Sequence, residues 1–100
     1  MLVTIVRGGG LGGFVRQTEL DSALLPPAAA ARLRELFAAL PWDPPRPTAS
    51  PDELLYELTV VDDGMTWSVR TTDQGLAEEE RLLTAFVDGR SERVDSVEPL

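Results

Sequence analysis

Four residue types are missing from this chain, and their absence excludes several kinds of site. The 100 residues contain no cysteine, histidine, lysine or asparagine. Without cysteine no disulfide framework can form, and without cysteine or histidine the usual structural zinc sites are excluded. A nucleophile activated by histidine, as in serine and cysteine hydrolases, is excluded as well. We therefore expect neither an enzyme acting alone nor a bound cofactor.

Charge and hydropathy argue against nucleic-acid binding and against a membrane-spanning segment. The chain has 17 acidic and 9 basic residues, all of the basic ones arginine, and a net charge of -8. Nucleic-acid binding relies on clustered positive charge, whereas these arginines are scattered. No stretch approaches the roughly 20 apolar residues that span a bilayer. The apolar residues 1–6 are too few for a signal peptide, so we expect a cytoplasmic protein. The use of arginine as the sole basic residue is typical of a GC-rich bacterial genome.

The clearest structural signal is a β-hairpin over residues 55–70. Asp63-Gly64 between two alternating runs is typical of a type I′ turn, whose central residues both need positive φ. Such a turn fixes the register of the two strands, with one apolar face and one polar or charge-paired face. The predicted partners are Asp62 with Met65, Val60 with Trp67, Leu58 with Val69, Thr59 with Ser68, and Glu57 with Arg70.

The rest of the chain predicts two more strands and two helices. Residues 2–7 and 14–20 are rich in β-branched residues and flank a run of glycines. Apolar residues recur at helical spacing over residues 27–40 and again over residues 77–87. Between the first helix and the hairpin, residues 42–51 contain four prolines and are predicted to form an extended loop.

These elements predict a small single α+β domain over residues 1–89. Its order is ββαββα, and we expect an antiparallel sheet of about four strands in two hairpins with both helices packed on one face. Residues 90–100 are polar and show no periodicity, so they are expected to form a disordered C-terminal tail.

The glycine run has the spacing of a nucleotide-binding motif. Gly8, Gly10 and Gly13 match G-x-G-x-x-G after a predicted strand. The dinucleotide fingerprint requires a helix directly afterwards, so that the pyrophosphate lies at its N-terminus. Residues 14–20 are predicted to form a strand instead. We therefore interpret the run as the loop of a hairpin.

Three acidic clusters raise the question of a metal or acid-base site. Asp62-Asp63 lies in a turn, Asp52-Glu53 leads into a strand, and Glu78-Glu79-Glu80 occupies a first helical turn, where the helix dipole favours negative charge. A calcium loop needs alternating oxygen ligands and a closing glutamate, and that pattern is missing. Structural roles explain all three clusters, and no metal site of the chain's own is predicted.

Two loops carry apolar residues and are candidates for binding a partner. Leu11 and Phe14 lie at the glycine hairpin, and Trp42 with Asp43 begins the proline-rich loop. If the first helix returns along the strands, the two loops meet at one end of the sheet. The opposite end gathers Asp21, Ser22, Leu24 and Leu25 with the turn Asp62-Asp63-Gly64. Binding residues are commonly placed on such loops because a rigid scaffold positions them.

The order of these features resembles the emfourin family, small bacterial protein inhibitors of protealysin-like, thermolysin-type zinc metalloproteases. The features that carry the resemblance are, in order, residues 7–14, Leu20-Asp21 with Leu25-Pro26-Pro27, the alanine-rich helix ending at Leu40-Pro41, and Pro51-Asp52 followed by residues 56–60 and Asp62-Asp63-Gly64. The resemblance covers about residues 3–88. It implies an inhibitor, monomeric or weakly dimeric, whose partner is the zinc site of such a protease.

The resemblance also implies a mode of inhibition. A thermolysin-type enzyme keeps an open zinc position for water, and a loop carboxylate that enters it displaces the nucleophile. The first-choice residues are Asp43, directed towards the zinc, with Trp42, Leu11 and Phe14 directed towards the substrate pocket. The second-choice residues are Asp21, Leu24 and Leu25.

A function of another class stays open on the residues alone. An unpaired sheet edge or an apolar loop patch would serve a non-inhibitory protein-protein interaction or homo-oligomerisation module. That function predicts a dimer and no effect on any protease. An enzyme, as a third class, would need a concave pocket with convergent polar groups, which the sequence does not indicate.

Overall fold

A computed structural model describes residues 1–8, 14–41 and 55–99 of the chain, with the backbone alone for Phe14, Glu98 and Pro99. The strands are β1 (Leu2–Gly8), β2 (Phe14–Asp21), β3 (Leu55–Asp62), β4 (Met65–Thr72) and β5 (Val94–Pro99). The helices are α1 (Pro27–Ala38) and α2 (Glu78–Asp88), and a short 3₁₀ helix (Ser22–Leu24) follows β2. Neither α1 nor α2 is long and apolar enough to cross a membrane.

The strands form one sheet in the order β4-β3-β1-β2-β5, and every neighbouring pair is antiparallel. The predicted α+β class, antiparallel sheet and two helices are confirmed. The predicted count of about four strands is wrong, because a fifth strand follows α2 and extends the order beyond ββαββα. Pairing of β1 with β3 joins the two predicted hairpins into a single sheet.

The β3-β4 hairpin has the predicted turn and register. Asp63 and Gly64 both have positive φ, 47° and 80°, as a type I′ turn requires. All five predicted partner pairs occur, from Asp62 opposite Met65 to Glu57 opposite Arg70. Here the local sequence determines the structure, because the turn geometry leaves no freedom to shift the register.

The core lies between one face of the sheet and the two helices. Alternate residues in the strands share a face, as do residues opposite each other in register. The buried apolar strand residues follow this rule: Val3, Ile5, Leu20, Leu58, Val60 and Trp67. The same cluster includes Leu33 and Leu36 of α1 and Leu83 and Val87 of α2. Both helices therefore cover this side, the helix face, and the other side is the open face.

The ends of both helices follow the sequence signals. Pro27 begins α1, where the missing N–H of proline costs no hydrogen bond. At the start of α2, the Glu80 carboxylate accepts the N–H of Ala77 at 2.7 Å. The acidic first turn of α2 is thus partly a cap, and Glu80 is fully buried in that role.

The C-terminal segment differs from the sequence prediction. Residues 90–100 are predicted to be a disordered tail, whereas Val94–Pro99 forms β5 beside β2. Hydrogen bonds and ion pairs secure it: the Asp95 carboxylate accepts from Thr18 Oγ1 at 2.7 Å, from Arg16 at 3.2 Å and from Arg93 at 3.0 Å. Val94 and Val97 are 62% and 61% exposed. With so little apolar burial, the segment lacks the periodicity that identifies other strands.

Acid is expected to loosen β5 before the rest of the sheet. The hydrogen bond from Thr18, supported by Arg16, holds the pKa of the Asp95 carboxyl below its usual value. A carboxyl with a lowered folded-state pKa stabilises the fold above its unfolded pKa, and this contribution is lost as pH falls through the folded pKa. Below about pH 4, amide exchange corrected for intrinsic rates should therefore rise more in β5 than in β1. Equal changes in both strands, or the same pH dependence in Asp95→Asn, would contradict this assignment.

Replacing Leu24 and Leu25 by alanine, one at a time, should show from the loss of stability which of the two lies in the core. Leu25 is 9% exposed and belongs to the core, whereas Leu24 is 62% exposed. We expect Leu25→Ala to lower the free energy of unfolding by about 2–4 kcal/mol, because burial is lost and a cavity remains. Leu24→Ala should change it by less than about 0.5 kcal/mol. Urea unfolding measures both values, and equal losses would show that the burial assignment is wrong.

Candidate functional site

The antiparallel strands give the sheet two ends, and both carry candidate binding residues. At the glycine end, β1 stops at Gly8, β2 begins at Phe14 and β3 begins at Leu55. The turn end contains the opposite strand termini, which are Leu2, Asp21 and the Asp62-Asp63-Gly64 turn.

The first-choice residues lie outside the described residues or at their border. Leu11 falls in residues 9–13, and Trp42 and Asp43 fall in residues 42–54. Phe14 is described by its backbone alone, at the start of β2. The predicted meeting of these residues at the glycine end therefore stays a prediction.

The residues that border segment 42–54 are well anchored. The carbonyl oxygen of Pro41 accepts a hydrogen bond from Trp67 Nε1 at 3.2 Å. Trp67 lies opposite Val60, in the half of β4 nearer the turn end, whereas the next described residue, Leu55, lies at the glycine end. Sequence reasoning missed the Pro41 contact, although a buried tryptophan N–H commonly signals a nearby acceptor.

Arg7 ties α2 to the sheet near the glycine end. Its guanidinium donates to Asp88 Oδ1 at 2.5 Å and lies 5.7 Å from the centre of the Tyr56 ring. The Arg7 side chain is 12% exposed, so removal of Asp88 would leave a largely buried charge without its partner. This contact ties the last part of β1, which ends at Gly8, to α2.

An apolar groove lies on the open face at the glycine end. Its volume is about 330 Å³, and its lining residues are Val6, Gly8, Val15, Leu55, Tyr56, Glu57 and Arg70. The Glu57 and Arg70 side chains form an ion pair of 2.9 Å beside it. Sequence reasoning missed the groove because its residues come from four strands, and only the pairing of β1 with β3 brings them together.

The structure places Asp21 at the same end of the sheet as the hairpin turn, with β1 between β2 and β3. Leu2 lies in register with Asp21 on one side and with Val61 on the other. The N–H of Ser22 donates to the carbonyl oxygen of Met1 at 2.9 Å. Asp21 is exposed, and its Oδ1 accepts the N–H of Ala23 at 2.9 Å. This bond orients the carboxylate and leaves its second oxygen available.

Exposed apolar side chains accompany the carboxylates of the turn end. Leu24 is 62% exposed, Met65 57%, Val61 41% and Leu2 38%. The second-choice residue Leu25 is buried in the core instead. Sequence reasoning did not select Leu2, Val61 or Met65, because they come from three different strands. The accessible part of the turn end is thus an acidic surface with several apolar side chains.

Neither end offers a metal site of its own in the part of the chain that the structure describes. Within residues 1–8, 14–41 and 55–99, no three acidic side chains are grouped so that they could hold a metal ion. An exposed single carboxylate such as Asp21 can still coordinate a metal ion that a partner protein supplies.

Comparison with known proteins bears on the chain as a whole. The model of the Emfourin family matches residues 5–88, which run from within β1 to the last residue of α2. Strand β5 lies beyond the match. No curated protein and no solved structure gives a significant match. Because the matched region covers most of the chain, the protein belongs to the Emfourin family.

Proposed function

We propose that this protein inhibits a thermolysin-type zinc metalloprotease by placing residues from one end of its sheet in the protease active site. The family match over residues 5–88 carries the proposal, because membership of the Emfourin family suggests a protease-inhibitor role. On this proposal the protein acts by binding and catalyses no reaction.

The chemistry requires a carboxylate on a stiff support. A catalytic zinc ion has three protein ligands and an open position, where a water molecule becomes the nucleophile. A carboxylate of the inhibitor would occupy this position and exclude the water. It presents no scissile carbonyl, so the complex would persist without cleavage. Apolar side chains next to the carboxylate would fill the substrate pocket and add affinity.

Asp43 is the first-choice zinc ligand, with Trp42, Leu11 and Phe14 as apolar contacts. Two features support it. The contact of the Pro41 carbonyl with Trp67 anchors the chain two residues before Asp43. Pro44 and Pro45 follow directly and restrict the backbone, which lowers the ordering cost of binding.

Asp21 is the second-choice zinc ligand, and it lies among residues that the structure describes. Its carboxylate is exposed and held by Ala23, and Leu24 beside it is exposed. Leu25 would have to leave the core to contact a partner, so on this surface Leu24 and Leu2, which lies in register with Asp21, are the apolar contacts we propose. The net charge of -8 would speed encounter with a protease whose active-site rim is positive.

Substitution of the two aspartates should identify the zinc-directed residue. We expect Asp43→Ala to weaken inhibition at least about 30-fold, which corresponds to about 2 kcal/mol, because a central binding contact is lost. Asp21→Ala should change it less than about threefold on the same scale. The measurement is titration of each variant into a thermolysin-type protease, ideally one from the same genome, with a fluorogenic peptide substrate.

The controls are Asp43→Asn, which keeps the shape of the side chain but removes its charge, and thermal unfolding of every variant. If Asp21→Ala strongly weakened inhibition and Asp43→Ala did not, Asp21 at the turn end would be the zinc-directed residue. Full protease activity at a large excess of the unsubstituted protein would contradict the inhibitor proposal itself.

A further inference from the structure

Strand β4 presents unpaired backbone groups along its outer edge. In a two-residue hairpin the residues that flank the turn, Asp62 and Met65, exchange both backbone hydrogen bonds. Bonding to β3 then recurs at every second residue of β4. The N–H and C=O groups of the intervening residues Thr66, Ser68 and Arg70 therefore point away from the sheet. Within residues 1–8, 14–41 and 55–99, no strand pairs with this edge.

Two contacts agree with this alternation. The next outward-pointing carbonyl, that of Thr72, accepts the N–H of Gly75 at 3.1 Å, as expected for a group that β3 does not use. Continued through the β3-β1 and β1-β2 registers, the same alternation predicts that Met1 and Ser22 form a hydrogen-bonded pair. The N–H of Ser22 does donate to the carbonyl oxygen of Met1, at 2.9 Å.

The two edges of the sheet differ in their protection against pairing. The same alternation makes Asp95, Val97 and Pro99 the outward residues of β5. A charge and a proline are common devices that prevent edge strands from pairing, and proline also lacks the N–H. Strand β4 contains no proline, its one charged residue, Arg70, forms an ion pair with Glu57 of β3, and its register with β3 runs unbroken over all eight residues. The β4 edge is therefore the one suited to strand addition.

We propose that β4 pairs with β4 of a second copy of this chain, in antiparallel orientation about a twofold axis at Ser68. The two Ser68 residues then lie opposite each other, and each Thr66 lies opposite Arg70 of the other copy. These three pairs use the backbone N–H and C=O groups of Thr66, Ser68 and Arg70 in both copies. The two sheets join into one ten-stranded sheet with the helices of both copies on the same side.

Charge and side-chain fit select this register. With the axis at Ser68, the two Arg70 side chains lie at opposite ends of the contact. An axis at Val69 would also align the outward residues, but it would bring the two Arg70 side chains next to each other. On the helix face, the axis at Ser68 sets Trp67 opposite Val69 of the other copy, an aromatic and β-branched pair that stabilises antiparallel strands.

The dimer contact is lateral and uses the β4 edge, not the strand ends. It nevertheless lies close to the start of segment 42–54, because Pro41 contacts Trp67 of β4. Each copy has a net charge of -8, so long-range repulsion opposes the contact. Salt screens that repulsion, and we therefore expect the dimer to strengthen as ionic strength rises. A contact driven by opposite charges would weaken instead.

Sedimentation velocity over a wide range of concentration, at low and at high salt, tests the proposal. The unsubstituted protein should approach twice the mass of one chain as its concentration rises. Ser68→Glu and Ser68→Lys should each stay monomeric at concentrations where the unsubstituted protein is mostly dimeric, because like charges then meet at the axis. An equal mixture of the two variants should restore the dimer, since opposite charges then face each other.

The control is Ser68→Thr, which keeps the backbone N–H and adds no charge, and should dimerise like the unsubstituted protein. Ser68→Lys lowers the net negative charge, so its loss of dimer cannot result from greater overall repulsion. A monomer at every concentration and salt level would overturn the proposal. A stronger dimer in Ser68→Glu would overturn the register, because an axis at Val69 sets residue 68 opposite Arg70. A mixture that stays monomeric would overturn the twofold axis at Ser68.

Discussion

The pairing of β1 with β3 is the constraint on which the rest of this structure depends. It places Val3 opposite Val60 and Ile5 opposite Leu58, four side chains with no exposed surface, directly beneath the two helices. Without this pairing the β1-β2 and β3-β4 hairpins would be separate, and neither alone could bury an apolar face large enough for both helices. The pairing also determines which residues meet at each end of the sheet, and so which loops can act together.

A sheet with candidate binding residues at both ends is suited to binding. Arg7 links the glycine end to α2, and the Pro41 contact with Trp67 secures the chain where it enters residues 42–54. At the turn end, Asp21 is oriented by Ala23 beside exposed apolar side chains. A preorganised carboxylate loses little conformational entropy when it binds, which is what a tight protein inhibitor requires.

Much of the fold could be predicted because its signals are local. Asp63-Gly64 determines the hairpin register, and apolar spacing locates α1 and α2 to within two residues at either end. Strand β5 could not be predicted, because the Asp95 contacts with Thr18 and Arg16 depend on a neighbour far away in sequence. The same holds for the candidate site: the grouping of Asp21 and Leu24 with the turn follows from strand direction, whereas Leu2, Val61 and Met65 join them only through the order of the strands. The burial of Leu25 depends on tertiary packing, which a local pattern does not contain.

The proposed inhibition is tested most directly by mapping the protease contact on the isotope-labelled protein. Backbone amide signals of the protein would be recorded with and without a thermolysin-type protease whose peptide cleavage is followed in the same samples. Under the proposed inhibition, cleavage should stop at one molecule of this protein per enzyme. The changed signals should belong to one end of the sheet and its adjoining loop, with the outer surfaces of α1 and α2 unchanged. Changes centred on the helices, or undiminished cleavage at saturating inhibitor, would contradict the proposed inhibition.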